Sequence, residues 1–184
     1  MLILGLDISS ATIGWSILEV EVGQDIRLKT YGHIKPTSKK KSDDNFSFRL
    51  NYAFDAITNL VQKEKPDVVA IEDYAKKFSK GKSSANTILI LSSFNEVCGL
   101  ATYRVLKSKP IRMPVTSLRK LVKTKYSCNI DDKEDVLNFC KKTFNNFLTQ
   151  NNRAGNIKKE CYDEADSIIV ALGYYLEHSK LSKP

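Results

Sequence analysis

The sequence has only two histidines, His33 and His178, among 184 residues, and its four cysteines, Cys98, Cys128, Cys140 and Cys161, form no Cys-x-x-Cys pair. So few histidines leave little room for a Ser–His or Cys–His base, and no Gly-x-Ser-x-Gly elbow is present. Neither histidine is near a cysteine in sequence, which leaves zinc ligation poorly supported. Nothing in a chain this long demands a disulfide framework, so the cysteines read as reduced, core-filling residues. Eight glycines and five prolines are too few for a collagen-like or linker-like chain. No apolar run approaches the ~20 residues of a membrane span. The first seven residues lack a basic stretch and reach Asp7 too soon for a signal peptide. These absences predict a soluble, cytoplasmic protein without a membrane partner.

What is present suits one domain over residues 1–184: 42% hydrophobic residues to build a core and 27% charged residues to solvate it. The net charge of +8 is unevenly spread. From Tyr74 to Lys125 there are twelve Lys/Arg and one acid, Glu96, a local +11 that leaves −3 for the rest. A polyanion is the natural partner of such a surface, and nucleic acid is the commonest one. The segment around Tyr74, Lys76, Lys77, Phe78, Lys80 and Lys82 interleaves rings with cations, as base-stacking and strand-wedging surfaces do. The other reading is that one ring, Tyr74, packs back on the core. Arg119 and Lys123, within the same basic window, complete the predicted DNA-binding set. Gly81-Lys82-Ser83 lacks the earlier glycine of a phosphate loop, since position 76 is Lys76. No nucleotide cofactor is therefore predicted.

Periodicity predicts strands at Leu2–Ile8, Ile13–Val22 and Ile26–Ile34 with short connections, an antiparallel meander. Apolar residues then recur at three and four from Leu50 to Val61, an amphipathic helix ended by Pro66. Val68–Glu72 reads as a doubly covered strand, Ser84–Lys107 as a long helix and Pro110–Val115 as a fifth strand. Helical patterns follow at Ser117–Lys123, Asp131–Phe144 and Tyr162–His178. The order predicts a single α/β domain.

Four acids stand out against that pattern. Asp7 interrupts an apolar strand and Glu72 closes another. Asp163 and Asp166, three residues apart, share one face at the start of an apolar helix. Each of the last three has a structural explanation: helix N-termini favour carboxylates, and Glu72 could pair with a lysine of the next loop. Asp7, between Leu6 and Ile8, is harder to explain that way, because an unpartnered carboxylate on a buried strand costs several kcal/mol. Converging carboxylates repel one another, and a divalent cation resolves the repulsion. All-oxygen ligands select Mg²⁺ or Mn²⁺ over zinc.

Gly5-Leu-Asp7-Ile-Ser-Ser-Ala-Thr-Ile-Gly14-Trp15 resembles the first nuclease motif of RuvC-like Holliday-junction resolvases and of the split nuclease domain of RNA-guided DNA endonucleases. Ala70-Ile-Glu72 resembles the second motif, and Asp163-Glu-Ala-Asp166-Ser-Ile-Ile-Val resembles the last. The small size and basic skew look like a phage- or prophage-encoded member, acting in the cytoplasm of a bacterial host. The resemblance implies a ribonuclease H-like fold: a five-stranded mixed sheet, three strands antiparallel and then parallel, flanked by helices. It implies a homodimer that cuts four-way DNA junctions. Asp7, Glu72, Asp163 and Asp166 would hold two Mg²⁺ ions for in-line attack on a phosphodiester, leaving a 5′-phosphate. Lys120 and Lys133 occupy places comparable to two family lysines that meet the scissile strand. The helix carrying Ile88, Leu91, Phe94 and Leu100 would be the dimer face; the other reading of these residues is core packing, which some of them must do. Ser9 replaces a glycine usual in bacterial members, and 124–133 lacks the glycine of the corresponding family segment. That departure predicts weak sequence selection on branched DNA of several shapes.

Other classes compete. An actin-like or sugar-kinase ATPase shares the strand–Asp–turn–strand start, but such proteins pair two such domains. A non-catalytic branched-DNA-binding protein would have no reason to keep four mutually repelling carboxylates. A ribonuclease H-like nuclease acting on RNA–DNA hybrid differs by substrate competition alone.

Overall fold

Side chains of a strand alternate between faces, and the first strand, β1 (Leu2–Ile8), uses its two faces differently. In the computed structural model, which describes residues 1–21, 24–38, 44–73 and 85–179, Leu4, Leu6 and Ile8 join one buried cluster while Ile3 joins another. Gly5 and Asp7 lie on the Ile3 face. β2 (Ile13–Glu19) pairs antiparallel with β1, and β3 (Arg27–Ile34) antiparallel with β2. On the other side of β1, β4 (Val68–Asp73) and then β5 (Ile111–Pro114) run parallel, giving the order β3-β2-β1-β4-β5.

The Leu4 face packs on α1 (Phe46–Glu64) and α2 (Ala85–Leu106) through Ala53, Ile57, Val61, Phe94, Cys98 and Ala101. Asn45 caps α1 by accepting from the Phe48 amide, and Lys65 closes it in the left-handed region (φ 49°) just before Pro66. The Ile3 face lies under α5 (Glu160–His178), with α3 (Val115–Tyr126) and α4 (Lys133–Thr143) against that helix. α5 is covered nearly throughout, from Cys161 through Ile168–Leu172 to Leu176. Burying each such Ile, Val or Leu contributes about 1.5–3 kcal/mol. Two glycines let it sit directly on the sheet. A Cβ at Gly5 would stand 2.8 Å from the Ala171 amide nitrogen, and one at Gly14 would fall inside the Asp163 carbonyl.

The elements follow the expected order, with shifts at their ends. β2 stops at Glu19 rather than Val22, because Leu2↔Glu19 ends its ladder with β1 and the Val20 amide closes on the Met1 carbonyl at 2.9 Å. α5 begins at Glu160 rather than Tyr162, through tight i→i−3 bonds of the Cys161 and Tyr162 amides at 3.1 Å. α3 begins at Val115, two residues before the expected Ser117. Phe94, expected on an exposed dimer face, is fully buried, edge-on to Phe46 and beneath the Arg49 guanidinium. Its helix exposes the expected Leu100 and, with it, Leu89 and Tyr103. Cys98, Cys140 and Cys161 are buried and unpaired, and burial pushes the Cys98 thiol up to about 12. No helix among the described residues is long and apolar enough to cross a membrane.

Candidate active site

The sheet's hydrogen bonding changes from antiparallel to parallel around β1, and crevices at such switch points open at the carboxyl ends of the strands. Asp7 and Glu72 stand at those ends. The β1–β4 register reaches Leu6↔Ile71, so Asp7 and Glu72 follow side by side, on the face that already carries Gly5 and Ala70. Across β2, Asp7 faces Gly14, and across β3, Gly14 faces His33. The absence of a side chain at Gly14 lets the first turn of α5 settle over this row. That seat brings Asp163 and Asp166 into electrostatic range of Asp7.

The four acids act on one another electrostatically. Burial holds the Asp7 carboxyl well above its usual range, and the charges of Glu72, Asp166 and Asp163 push it the same way, against Lys133. Glu72 is pushed from 4.5 to about 7 by burial and by Asp166, with Arg119 and Lys133 opposing. Asp166 is raised by burial, against Lys133 and Arg119.

Two cations answer these acids. Lys133, the first residue of α4, donates to Asp163 Oδ1 at 3.2 Å and lies 3.6 Å from Asp166 Oδ2. Burial works to lower its pKa, but Asp166 and Asp163 outweigh it and hold the ammonium above its usual range. A lysine at a helix N-terminus opposes the dipole; here a capping box sets it in place. Asp132 accepts from the Asp135 amide at 2.8 Å while Asp135 reaches back to the Asp132 amide. Arg119, from α3, contacts Asp166 Oδ1 at 3.4 Å through one nitrogen and the Asp131 carbonyl at 2.6 Å through the other.

Of the expected site residues, the structure therefore brings together Asp7, Glu72, Asp163, Asp166, Lys133 and Arg119. Lys120 is not among them: it is exposed on α3, one residue and about 100° around the helix from Arg119. Lys123 pairs with Asp131. Tyr74, Lys76, Lys77, Phe78, Lys80 and Lys82 lie outside the described residues. A further pair went unread in the sequence. His33 Nδ1 meets Glu164 Oε1 at 2.7 Å, tying β3 to α5 between its two aspartates. The only signal for it was the strand register that sets His33 across from Gly14.

Among the described residues, no three His, Cys, Asp or Glu side chains stand close enough to share one ion. The donor chemistry nevertheless fits a divalent cation. It is all carboxylate oxygen, and burial first, with neighbouring carboxylates second, makes the charged forms of Asp7 and Glu72 costly, a cost that a bound divalent cation would offset.

The family model of the crossover junction endodeoxyribonuclease RuvC matches residues 3–123, which contain Asp7, Glu72 and Arg119. A crossover junction endodeoxyribonuclease RuvC from Caldicellulosiruptor saccharolyticus is 30% identical over 135 residues, spanning 67% of this chain and 78% of the relative. The fold is similar to that of T. thermophilus RuvC solved in complex with a Holliday junction substrate: TM-score 0.71, 14% identity, 99% of this chain and 97% of that one. It is also similar to the yeast mitochondrial Holliday junction resolvase: TM-score 0.67, 14% identity, 97% of this chain and 79% of the other. At those identities the structural likeness concerns the fold, a mixed five-stranded sheet of the ribonuclease H-like kind flanked by helices. The sequence matches carry the further conclusion that this chain belongs to the RuvC family of crossover junction endodeoxyribonucleases.

Proposed function

We propose that this chain is a structure-selective endonuclease that resolves four-way DNA junctions by metal-dependent phosphodiester hydrolysis. The observation that carries the reading is the gathering of Asp7, Glu72, Asp163 and Asp166 at the carboxyl ends of β1 and β4, edged by Lys133 and Arg119. Asp7, Glu72, Asp163 and Asp166 are the residues that would hold two Mg²⁺ or Mn²⁺ ions. When bound, the ions supply Lewis-acid polarisation of the phosphate and offset the charge that develops on it.

The chain's own groups divide the remaining work. Arg119 fixes Asp166 by holding it and the Asp131 carbonyl at once. Lys133 pairs with Asp163 and opposes the upward push of burial on Asp166, and its ammonium, fixed at the lip of the cluster by the α4 capping box, supplies positive charge where the phosphorane builds up negative charge. Glu164, tied to His33, resists rotation of α5 and so holds the aim of the aspartates on either side of it. Lys123 and the exposed Lys120 extend the positive surface along α3.

The partner is branched DNA, chiefly the four-way junction, and the acting species is a homodimer in the cytoplasm. A two-fold dimer matches a substrate with two equivalent strands to cut. The exposed apolar side chains Leu89, Leu100 and Tyr103 of α2, with Ile111 of β5 nearby, support that interface.

The deciding experiment is cleavage of a labelled four-way junction and a matching linear duplex with Mg²⁺, with Mn²⁺ and with chelator, beside Asp7→Asn. Paired, metal-dependent nicks on the junction alone, absent in the variant, are expected. Binding without cutting under every metal would leave a structural DNA-binding protein, and preferential cutting of RNA–DNA hybrid would move the activity to another ribonuclease H-like class.

A further inference from the structure

On the β3 edge of the sheet, His33, Lys35, Asn152, Lys158, Lys159 and Glu160 line a pocket of about 440 Å³ beside the first turn of α5. Its position is set by the row Asp7–Gly14–His33, which runs across three strands. The pocket therefore begins two strand spacings, about 10 Å, from the Asp7 strand. α3, with Arg119, Lys120 and Lys123, contacts β5 at the opposite edge. The acidic cluster thus sits between two cationic flanks.

The charges in the pocket are not used up internally. Glu160 is paired with Lys35, and Glu164, just behind, with His33. Among the described residues, the Lys158 ammonium donates to the neutral Gln150 Oε1, at 2.8 Å, and is paired with no acid. The exposed Lys159 ammonium meets no group among the described residues. The loop before α5 is braced. Asn152 Oδ1 accepts from the amides of Ala154 at 2.9 Å and Asn156 at 3.1 Å, and Asn151 bridges Ile157. Three lysines against Glu160 and Glu164 leave the recess net positive even with a neutral His33, and Lys158 and Lys159 are held at its mouth.

A nucleic-acid strand crossing four carboxylates is repelled along that stretch, so its backbone must be gripped on both sides. α3 supplies one side. We propose that the Lys158–Lys159 pocket is the other: a backbone-phosphate site for the cleaved strand, on the β3 side of the scissile phosphodiester. The assignment rests on the junction-nuclease reading and adds to it a contact outside the basic 74–125 window.

The test is fluorescence-anisotropy titration of a labelled four-way junction in chelator, from about 50 to 200 mM salt. It compares wild type, Lys159→Gln, the double variant Lys158→Gln/Lys159→Gln, and Lys141→Gln/Lys142→Gln at the far end of α4. The last variant removes the same charge elsewhere. Each lost phosphate contact should make the slope of log affinity against log salt shallower by about 0.9 and weaken binding roughly eight-fold at ~0.1 M salt. The Lys159 single variant, whose ammonium has no internal partner to lose, should show one such step with an unchanged melting temperature. The double variant should show up to two, and the α4 pair should keep the wild-type slope. Wild-type behaviour of the Lys159 variants, or an equal effect from the α4 pair, overturns the site while leaving the nuclease reading standing. A wild-type chain that binds no junction overturns both.

Discussion

Replacing Gly14 by alanine tests whether the seat of α5 on the sheet sets the cleavage geometry. The new methyl would fall inside the Asp163 carbonyl and 3.0 Å from the Glu164 amide nitrogen. Both obstacles are backbone, so no side chain can turn aside. Ordinary non-bonded contact begins near 3.5 Å, and because the Asp163 carbonyl oxygen would stand 2.0 Å from the new methyl, the first turn of α5 must retreat by roughly 1.5 Å to restore it. Overpacking of this kind costs about 1–3 kcal/mol. In a chain of this size each kcal/mol lowers the melting temperature by roughly 2–4 °C. The effect on rate should be larger. The retreat carries Asp163 away from Asp7 and strains the Glu164–His33 contact, and a misplacement of about 1 Å can cost roughly 100-fold. The assay is single-turnover junction cleavage at saturating protein, with thermal melting and junction affinity in chelator measured on the same preparations. Leu172→Ala is the matched control: it removes a buried side chain farther along α5, costs about 2–5 kcal/mol, and leaves the first turn seated. Gly14→Ala should bind junctions normally and cut about 100-fold more slowly, while the control, below its melting temperature, cuts near the wild-type rate. Wild-type cleavage by Gly14→Ala, or an equal loss in the control, would refute the reasoning.

Three further outcomes are expected. Lys133→Gln removes the ammonium from Asp163 and Asp166 and should slow cleavage by about 10²–10³-fold with junction affinity little changed, read by the same paired assays. Glu72 is pushed from 4.5 to about 7, so the folded chain holds this proton more tightly than the unfolded one. Without metal, stability should therefore fall as pH rises through that window, by at most about 3 kcal/mol from this group. Melting curves in chelator should show the fall, and Glu72→Gln should lessen it. Leu100 and Tyr103 are 58% and 47% exposed, so Leu100→Glu with Tyr103→Glu should leave the melting temperature of the subunit intact and convert dimers to monomers by light scattering; an unchanged mass would move the dimer face elsewhere.

The order of elements and the four acids were legible because they rest on local signals. Alternation marks β1, a run of β-branched residues marks β4, and a carboxylate inside either is conspicuous. Features that depend on non-local registration were not legible. Whether Arg119 or Lys120 faces the acids depends on the phase of α3, which is set by where β5 ends at Pro114. The His33–Glu164 pair requires β3 in register with β2 and α5 seated on Gly14. Lys35, Lys158 and Lys159 are far apart in a part of the chain that sums to negative charge, so no window of composition marks their pocket. Which of Ile88, Leu91, Phe94 and Leu100 packs in the core was not legible either, because α2 is apolar on several sides and periodicity alone does not say which side is covered; the structure buries Phe94.

The enclosure of α5 has a consequence for how this protein fails. A helix covered along nearly its whole length has no inexpensive way to detach alone, so opening it requires separating the sheet from the helices over it. Amide protons from Ala165 to Leu172 should then exchange with solvent only through global unfolding, as the slowest set in the molecule. Asp163 and Asp166 are anchored to that slowest-opening unit. Loss of nuclease activity on heating should coincide with the melting transition rather than precede it, leaving no temperature interval in which the fold persists with its carboxylates out of place.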